Sequence, residues 1–171
     1  MTEIDTEAET RTRTYRWDDP KASAQAVTTM KGTEFLQAIA DGQLPGPPMA
    51  HTLGLRIDEV EEGRVVFGAE PAEWQYNPMG TVHGGFVATL LDSALGCVVH
   101  SMLPAGVGYT TLELKVNMVR ALTATTGRVR CEATIVHAGG RVATAEAKVV
   151  DADGKLYAHG STTCLILRPE H

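Results

Sequence analysis

Gly84-Gly-Phe-Val-Ala-Thr-Leu-Leu-Asp-Ser-Ala-Leu-Gly-Cys-Val-Val-His100 is rich in Ala and Leu and apolar on almost every side when wound as a helix. A helix that is apolar all round must be buried. This one carries a single charged residue, Asp92. Taking a carboxylate out of water costs several kcal/mol unless it is paired, and burial raises its pKa. Two readings stand at this point. Asp92 is a structural carboxylate held by backbone, Ser/Thr or Arg groups, or it is a working acid or base.

Outward from that helix the pattern turns to strands. Leu53 to Val60 and Arg64 to Ala69 flank a turn at Glu61-Glu-Gly63, which reads as a hairpin. Downstream, Leu112, Leu114, Val116 and Met118 alternate with Glu113, Lys115 and Asn117. Val129, Cys131, Ala133 and Ile135 do the same, as do Ala143, Ala145, Ala147 and Val149. Each is a period-two pattern with one buried and one wet face. Asp151-Ala-Asp-Gly154 marks another turn before a last strand from Leu156 to about Leu167. The expected fold class is α+β: a curved antiparallel sheet of five to six strands around one long central helix.

The N-terminal part reads differently. Residues 1–32 are polar, lack periodicity and read as a flexible extension. Residues 33–50 hold a short helix and a linker. Thr33 is its candidate cap, Leu36, Ile39 and Ala40 its apolar stripe, and Gly42 its end. Pro45-Gly-Pro-Pro48 follows as the linker. The compact domain is expected over 51–168.

Composition narrows the function. The 171 residues contain 15 Lys+Arg against 21 Asp+Glu, a net charge of -6. Nucleic acid is a poor partner for such a chain, because phosphate binding needs a concentrated basic face. By length, no apolar run reaches the ~18–20 residues of a membrane span, so no membrane partner is expected. The first residues have neither the basic nor the apolar region of a secretory signal. The three cysteines, Cys97, Cys131 and Cys164, are far apart and odd in number, and read as reduced core thiols. The expected location is cytoplasmic.

The chemistry gathers ahead of the helix, in Tyr76-Asn-Pro-Met-Gly-Thr-Val-His-Gly-Gly85. Gly84 and Gly85 at a helix mouth present N–H groups, backed by the helix dipole, to an oxyanion or carbonyl oxygen. The alternative is a plain tight turn. His83 is a donor to substrate or a loop cap, and Asn77 before Pro78 is a polar ligand or a turn former. Eight residues separate Gly84 from Asp92, about 12 Å along one helix. A carbonyl oxygen and the water attacking its carbon need partners only ~6–7 Å apart. One helix cannot serve both, whereas two antiparallel copies can. If both groups act, the site lies between subunits of a two-fold dimer. Gly85, Ala88, Thr89 and Gly96, small residues on the Asp92 line, would permit that approach.

The run Asn77-Pro-Met-Gly-Thr-Val-His-Gly-Gly85, then Thr89-Leu-Leu-Asp-Ser-Ala94, then Thr110-Thr-Leu-Glu-Leu-Lys115 resembles the hotdog-fold acyl-CoA thioesterases of the phenylacetate-degradation type. The likeness covers roughly His51 to Leu167. The resemblance implies a hotdog fold assembled as a homodimer and commonly as a dimer of dimers. It implies acyl-CoA as substrate, with no metal and no cofactor, coenzyme A being part of the substrate. It implies Asp92 as general base or nucleophile, Gly84 as oxyanion donor and His83 as the residue orienting the loop or polarising the carbonyl. Asn77 and Thr111 would hold the attacking water or the thioester, with Gly85 and Thr110 as further contacts.

Coenzyme A phosphates call for basic residues. Arg141 is the first candidate and Arg120 the second, each also readable as a solvated strand-end charge. Val87, Leu90 and Leu91 are candidates for an acyl pocket or plain core. Two rival functions remain: a hotdog dehydratase or hydratase on acyl-CoA or acyl carrier protein, using His83 and Asp92, and a non-catalytic acyl-CoA-binding module.

Overall fold

The computed structural model describes residues 10–169. Three short helices come first: α1 (Lys21–Ala26), α2 (Gly32–Ala40) and α3 (Pro48–Leu53). Strands β1 (Arg56–Glu61) and β2 (Arg64–Ala69) precede the long α4 (Gly84–Ser101). β3 (Gly108–Met118), β4 (Val129–Ala138), β5 (Val142–Val150) and β6 (Leu156–Leu167) complete one antiparallel sheet, in the order β1-β2-β4-β5-β6-β3. Helix α4 packs against β2, β3, β4, β5 and β6, so the sheet curls around it. This is the hotdog arrangement expected.

The apolar periodicity places the core. Leu90, Leu91, Ala94, Leu95, Val98 and Val99 of α4 have no exposed surface. They meet Val65, Val129, Cys131, Ala133, Ala145 and Val149 from the inner face of the sheet. Burying each Leu or Val contributes roughly 1.5–3 kcal/mol. The alanines of β5 are short, which lets α4 lie close to the middle of the sheet. Ser101 secures the far end: its hydroxyl donates to the Val98 carbonyl at 2.7 Å and accepts the Gly63 N–H at 3.0 Å.

Several expectations need correction. The strand foreseen from Leu53 begins at Arg56, and Pro48–Leu53 is helical. Pro48 sits in the first turn of α3, where its missing N–H costs nothing, and Gly54 caps the end in a left-handed conformation (φ 73°). Helix α2 starts at Gly32, ahead of Thr33. The Glu34 carboxylate accepts the Lys31 N–H at 3.2 Å in place of a Thr cap. Ala40 is exposed, whereas Leu36 is buried. In β3 the alternation breaks at a bulge between Thr111 and Glu113, which turns Leu112 outward, 60% exposed. Met118, at the end of this edge strand, is exposed as well. Residues 1–9 of the extension read as flexible lie outside the described residues; within the remainder, Lys21–Ala26 form α1.

The length argument against a membrane span was too strict. Helix α4 has 18 residues and is long and apolar enough to cross a membrane by length and composition. What it packs against is the sheet of its own chain, which buries most of it.

Candidate active site

The side of α4 turned away from the sheet core carries Thr89, Asp92, Ser93 and Cys97, all half-buried. Asp92 is therefore not engulfed. Its Oδ1 accepts a hydrogen bond from the Thr111 hydroxyl at 3.2 Å. Among the described residues it forms no ion pair, so the reading of an Asp locked to an Arg does not hold. Thr111 reaches it from β3 just before the bulge, while neighbouring Thr110 is exposed. Thr89, Asp92, Ser93, Cys97, Tyr109 and Thr111 border one cleft of about 1470 Å³.

Beside Asp92, Cys97 and Tyr109 stay neutral near pH 7. Burial first, and the Asp92 charge second, push the Cys97 thiol up to about 12. Burial pushes the Tyr109 hydroxyl well above its ordinary range, with Cys97, Cys164 and Asp92 adding to it. All three cysteines are free thiols, and Cys97 borders the cleft instead of lying wholly in the core. Gly96 owes its size to Tyr109. A Cβ there would lie 2.4 Å from the Tyr109 hydroxyl oxygen, so this glycine serves a contact within the chain, not the approach of a second helix.

The second group of candidates sits at the mouth of α4. His83 is the N-cap residue, and its Nδ1 accepts the Gly85 N–H at 2.9 Å. An accepting Nδ1 carries no proton, which leaves the proton of a neutral ring on Nε2. The Gly85 N–H is thus occupied. The Gly84 N–H, at the first helical position, has no hydrogen-bond partner among the described residues. The His83 N–H donates to the Gln75 carbonyl at 2.8 Å. Asn77 holds its own loop: its Oδ1 accepts the N–H groups of Met79 and Thr81, and its Nδ2 donates to the Thr81 hydroxyl. The chain therefore brings Asp92 to Thr111, and Asn77, His83, Gly84 and Gly85 to one another. The two clusters stay about a dozen ångströms apart along the helix.

Arg141 is exposed in the turn between β4 and β5 and does not border the cleft. Arg120 is exposed and donates to the Leu156 carbonyl. Val87, Leu90 and Leu91 are core and face away from the cleft. Sequence reasoning missed Ser93, Cys97 and Tyr109 on the cleft border. It also missed Gln75, buried beneath His83 with an amide nitrogen that lacks a partner among the described residues. Only the unusual placement of a polar Gln between Trp74 and Tyr76 hinted at it. Among the described residues no three His, Cys, Asp or Glu side chains converge to hold a metal ion.

Comparison with known proteins places this geometry in a family. The family described as the thioesterase superfamily matches residues 79–158, which span the loop, α4 and the strands up to β6. A Halobacterium salinarum protein whose name presents it as a presumed esterase is 39% identical over 103 residues, 57% of this chain and 66% of that protein. The match thus spans just under two thirds of that relative's length. A solved structure of a variant of the phenylacetic acid degradation protein PaaI from Thermus thermophilus is 31% identical, with a TM-score of 0.64. That match covers 72% of this chain and 100% of the other. A conserved protein from Pseudomonas aeruginosa is 32% identical with a TM-score of 0.67, over 71% of this chain and 95% of the other. With a central helix that carries Asp92 behind a diglycine mouth, the chain belongs to the thioesterase superfamily of hotdog-fold proteins.

Proposed function

We propose that this protein hydrolyses acyl-CoA thioesters to a free acid and coenzyme A, across the interface of a two-fold dimer. The observation that carries the reading is the pairing of a half-buried carboxylate, Asp92, which among the described residues is held only by the Thr111 hydroxyl, with a Gly84 N–H eight residues earlier on the same helix that has no partner among them. In an antiparallel pair of helices, each Asp92 meets the Gly84 end of the other copy. Water bound near Asp92 and Thr111 attacks the thioester carbon, and Asp92 takes its proton. The oxygen that becomes anionic rests on the Gly84 N–H, with the helix dipole behind it. The C–S bond breaks, and the thiolate leaves with the proton that Asp92 returns. Direct attack by Asp92, through a mixed anhydride that water then opens, uses the same groups. His83 orients the Gly84–Gly85 turn through its Nδ1.

The family likeness and the thioesterase-named relatives support the reaction type. The three free thiols suit a reducing, cytoplasmic setting. The exposed outer edge of β3 and the outward Leu112 and Met118 suit a homodimer, with a dimer of dimers as the larger assembly. The test is Asp92→Asn on a panel of acyl-CoAs, read by thiol release. A positioned base contributes roughly 10²–10⁴-fold, so kcat should fall by that order while KM stays similar. Undiminished turnover would end the assignment. Consumption of an enoyl- or hydroxyacyl-CoA without thiol release would point to the dehydratase instead.

A further inference from the structure

We propose that the chamber between α2, α3 and the Asp92 side of α4 is the acyl subsite, and that it selects bulky apolar acyl groups of about six carbons or more. The proposal rests on the thioesterase reading of Asp92 and adds the substrate class. The cleft that contains Asp92 and Thr111 continues beneath the N-terminal helices, where Phe35, Ile39, Leu44, Met49, Leu55 and Phe67 line it. A thioester carbon held at Asp92 therefore has its acyl tail directed along these apolar side chains, with Gln43, His51 and Arg56 as the polar parts of the same wall. At the rim, Arg128 and Asp58 satisfy each other through contacts of 2.6 and 2.8 Å, so neither presents a free charge to an acyl group.

The wall is built into the fold. The Gly32 N–H donates to the Leu103 carbonyl at 2.9 Å, which ties the start of α2 to the chain just past α4. A Cβ on Gly32 would lie 1.7 Å from the His100 carbonyl oxygen, so only glycine lets the two backbones meet. The Phe35 ring stands edge-on to His100 at 5.3 Å. The Ser23 hydroxyl of α1 donates to the Pro45 carbonyl at 2.6 Å and pins the α2–α3 connection from outside.

Size sets the class. The cleft on the single chain, about 1470 Å³ and partly open to solvent, has room for an acyl group of this length beside Asp92. A two- or three-carbon acyl group would leave most of the apolar wall wet. Each further methylene buried against it should favour binding by roughly fourfold. Of the six apolar residues, Phe35, Ile39, Leu44 and Met49 come from the helices and connection ahead of β1, whereas Phe67 belongs to β2.

The test measures kcat/KM for propionyl-, hexanoyl- and decanoyl-CoA by thiol release, and decanoate binding by calorimetry, on the full chain. Wild type should prefer decanoyl over propionyl by tenfold or more. Ile39→Trp, which fills the chamber from α2, and Met49→Trp, from α3, should each cut that ratio at least tenfold and weaken decanoate binding. Met49 is 56% exposed, so its replacement leaves the core alone. A flat chain-length profile, or a ratio unmoved in both variants, overturns the subsite and leaves the thioesterase reading standing. Decanoate binding that the variants abolish, with no hydrolysis of any acyl-CoA, supports the subsite and ends the thioesterase reading. Neither binding nor hydrolysis overturns both.

Discussion

Replacing Gly96 by alanine should destabilise this protein, although the same change inside most helices does the opposite. Gly→Ala in a helix interior normally gains about 1 kcal/mol, because glycine leaves more backbone freedom to lose on folding. At position 96 the new methyl would sit 2.4 Å from the Tyr109 hydroxyl oxygen and 3.0 Å from two ring carbons. Carbon contacts are comfortable near 3.5 Å, so the ring must retreat by about 1 Å. Away from the cleft, Tyr109 has little room to do so. The His100 ring lies behind it at 5.9 Å, and its backbone is paired with Ile166 of β6. Overpacking of this kind costs about 1–3 kcal/mol. Set against the helix gain, the net loss should be on the order of 1 kcal/mol, or about 2–4 °C in Tm for a chain of this size. Urea denaturation with matched thermal melts measures it. In a Tyr109→Phe background the closest contact is gone and the loss should shrink, which a double-mutant cycle reads as coupling. A Gly96→Ala protein as stable as wild type, or an equal cost in both backgrounds, would refute the packing argument.

Two further outcomes follow from burial beside the cleft. With its pKa pushed up to about 12, Cys97 should be about 10⁻⁴ thiolate at pH 8, so native protein should react with iodoacetamide far more slowly than urea-unfolded protein. Comparable rates would contradict its environment. His100, 6% exposed with an unpartnered Nε2, has its pKa lowered by burial. Above about pH 6.5 both folded and unfolded forms are neutral at this residue; below it, only the unfolded chain takes up the proton until the lower folded pKa is reached. Its share of the stability is therefore present above pH 6.5 and is lost as the pH falls. His100→Phe, placing an apolar ring beside Phe35, should flatten the decline of Tm between pH 7 and 5; an unchanged slope would contradict the assignment.

Much of the architecture was legible along the chain. Helix α4 announced itself by being apolar on all sides, and its observed bounds differ by one residue from the stretch read as helical. The strands Arg64–Ala69 and Leu156–Leu167 and the turns at Glu62-Gly63 and Asp151–Gly154 followed from period-two burial and local turn chemistry. These features depend on neighbours in sequence, which is why sequence exposes them. The bulge that turns Leu112 outward was not legible, because it depends on how β3 and β6 register. Nor was α3, whose prolines read as a break until Pro48 is seen in a first turn, where proline fits.

Residue order alone required that a carboxylate ride a mostly buried helix behind a diglycine, and that the distance between the two be too great for a single carbonyl. Those are matters of spacing and periodicity, properties a linear chain carries with it. It took the folded chain to show that Asp92 faces an open cleft with Thr111 as its partner, that Gly96 makes room for Tyr109, and that α2 and α3 roof the chamber. Those facts come from residues far apart in the chain meeting in space, and no local pattern encodes which of them will touch.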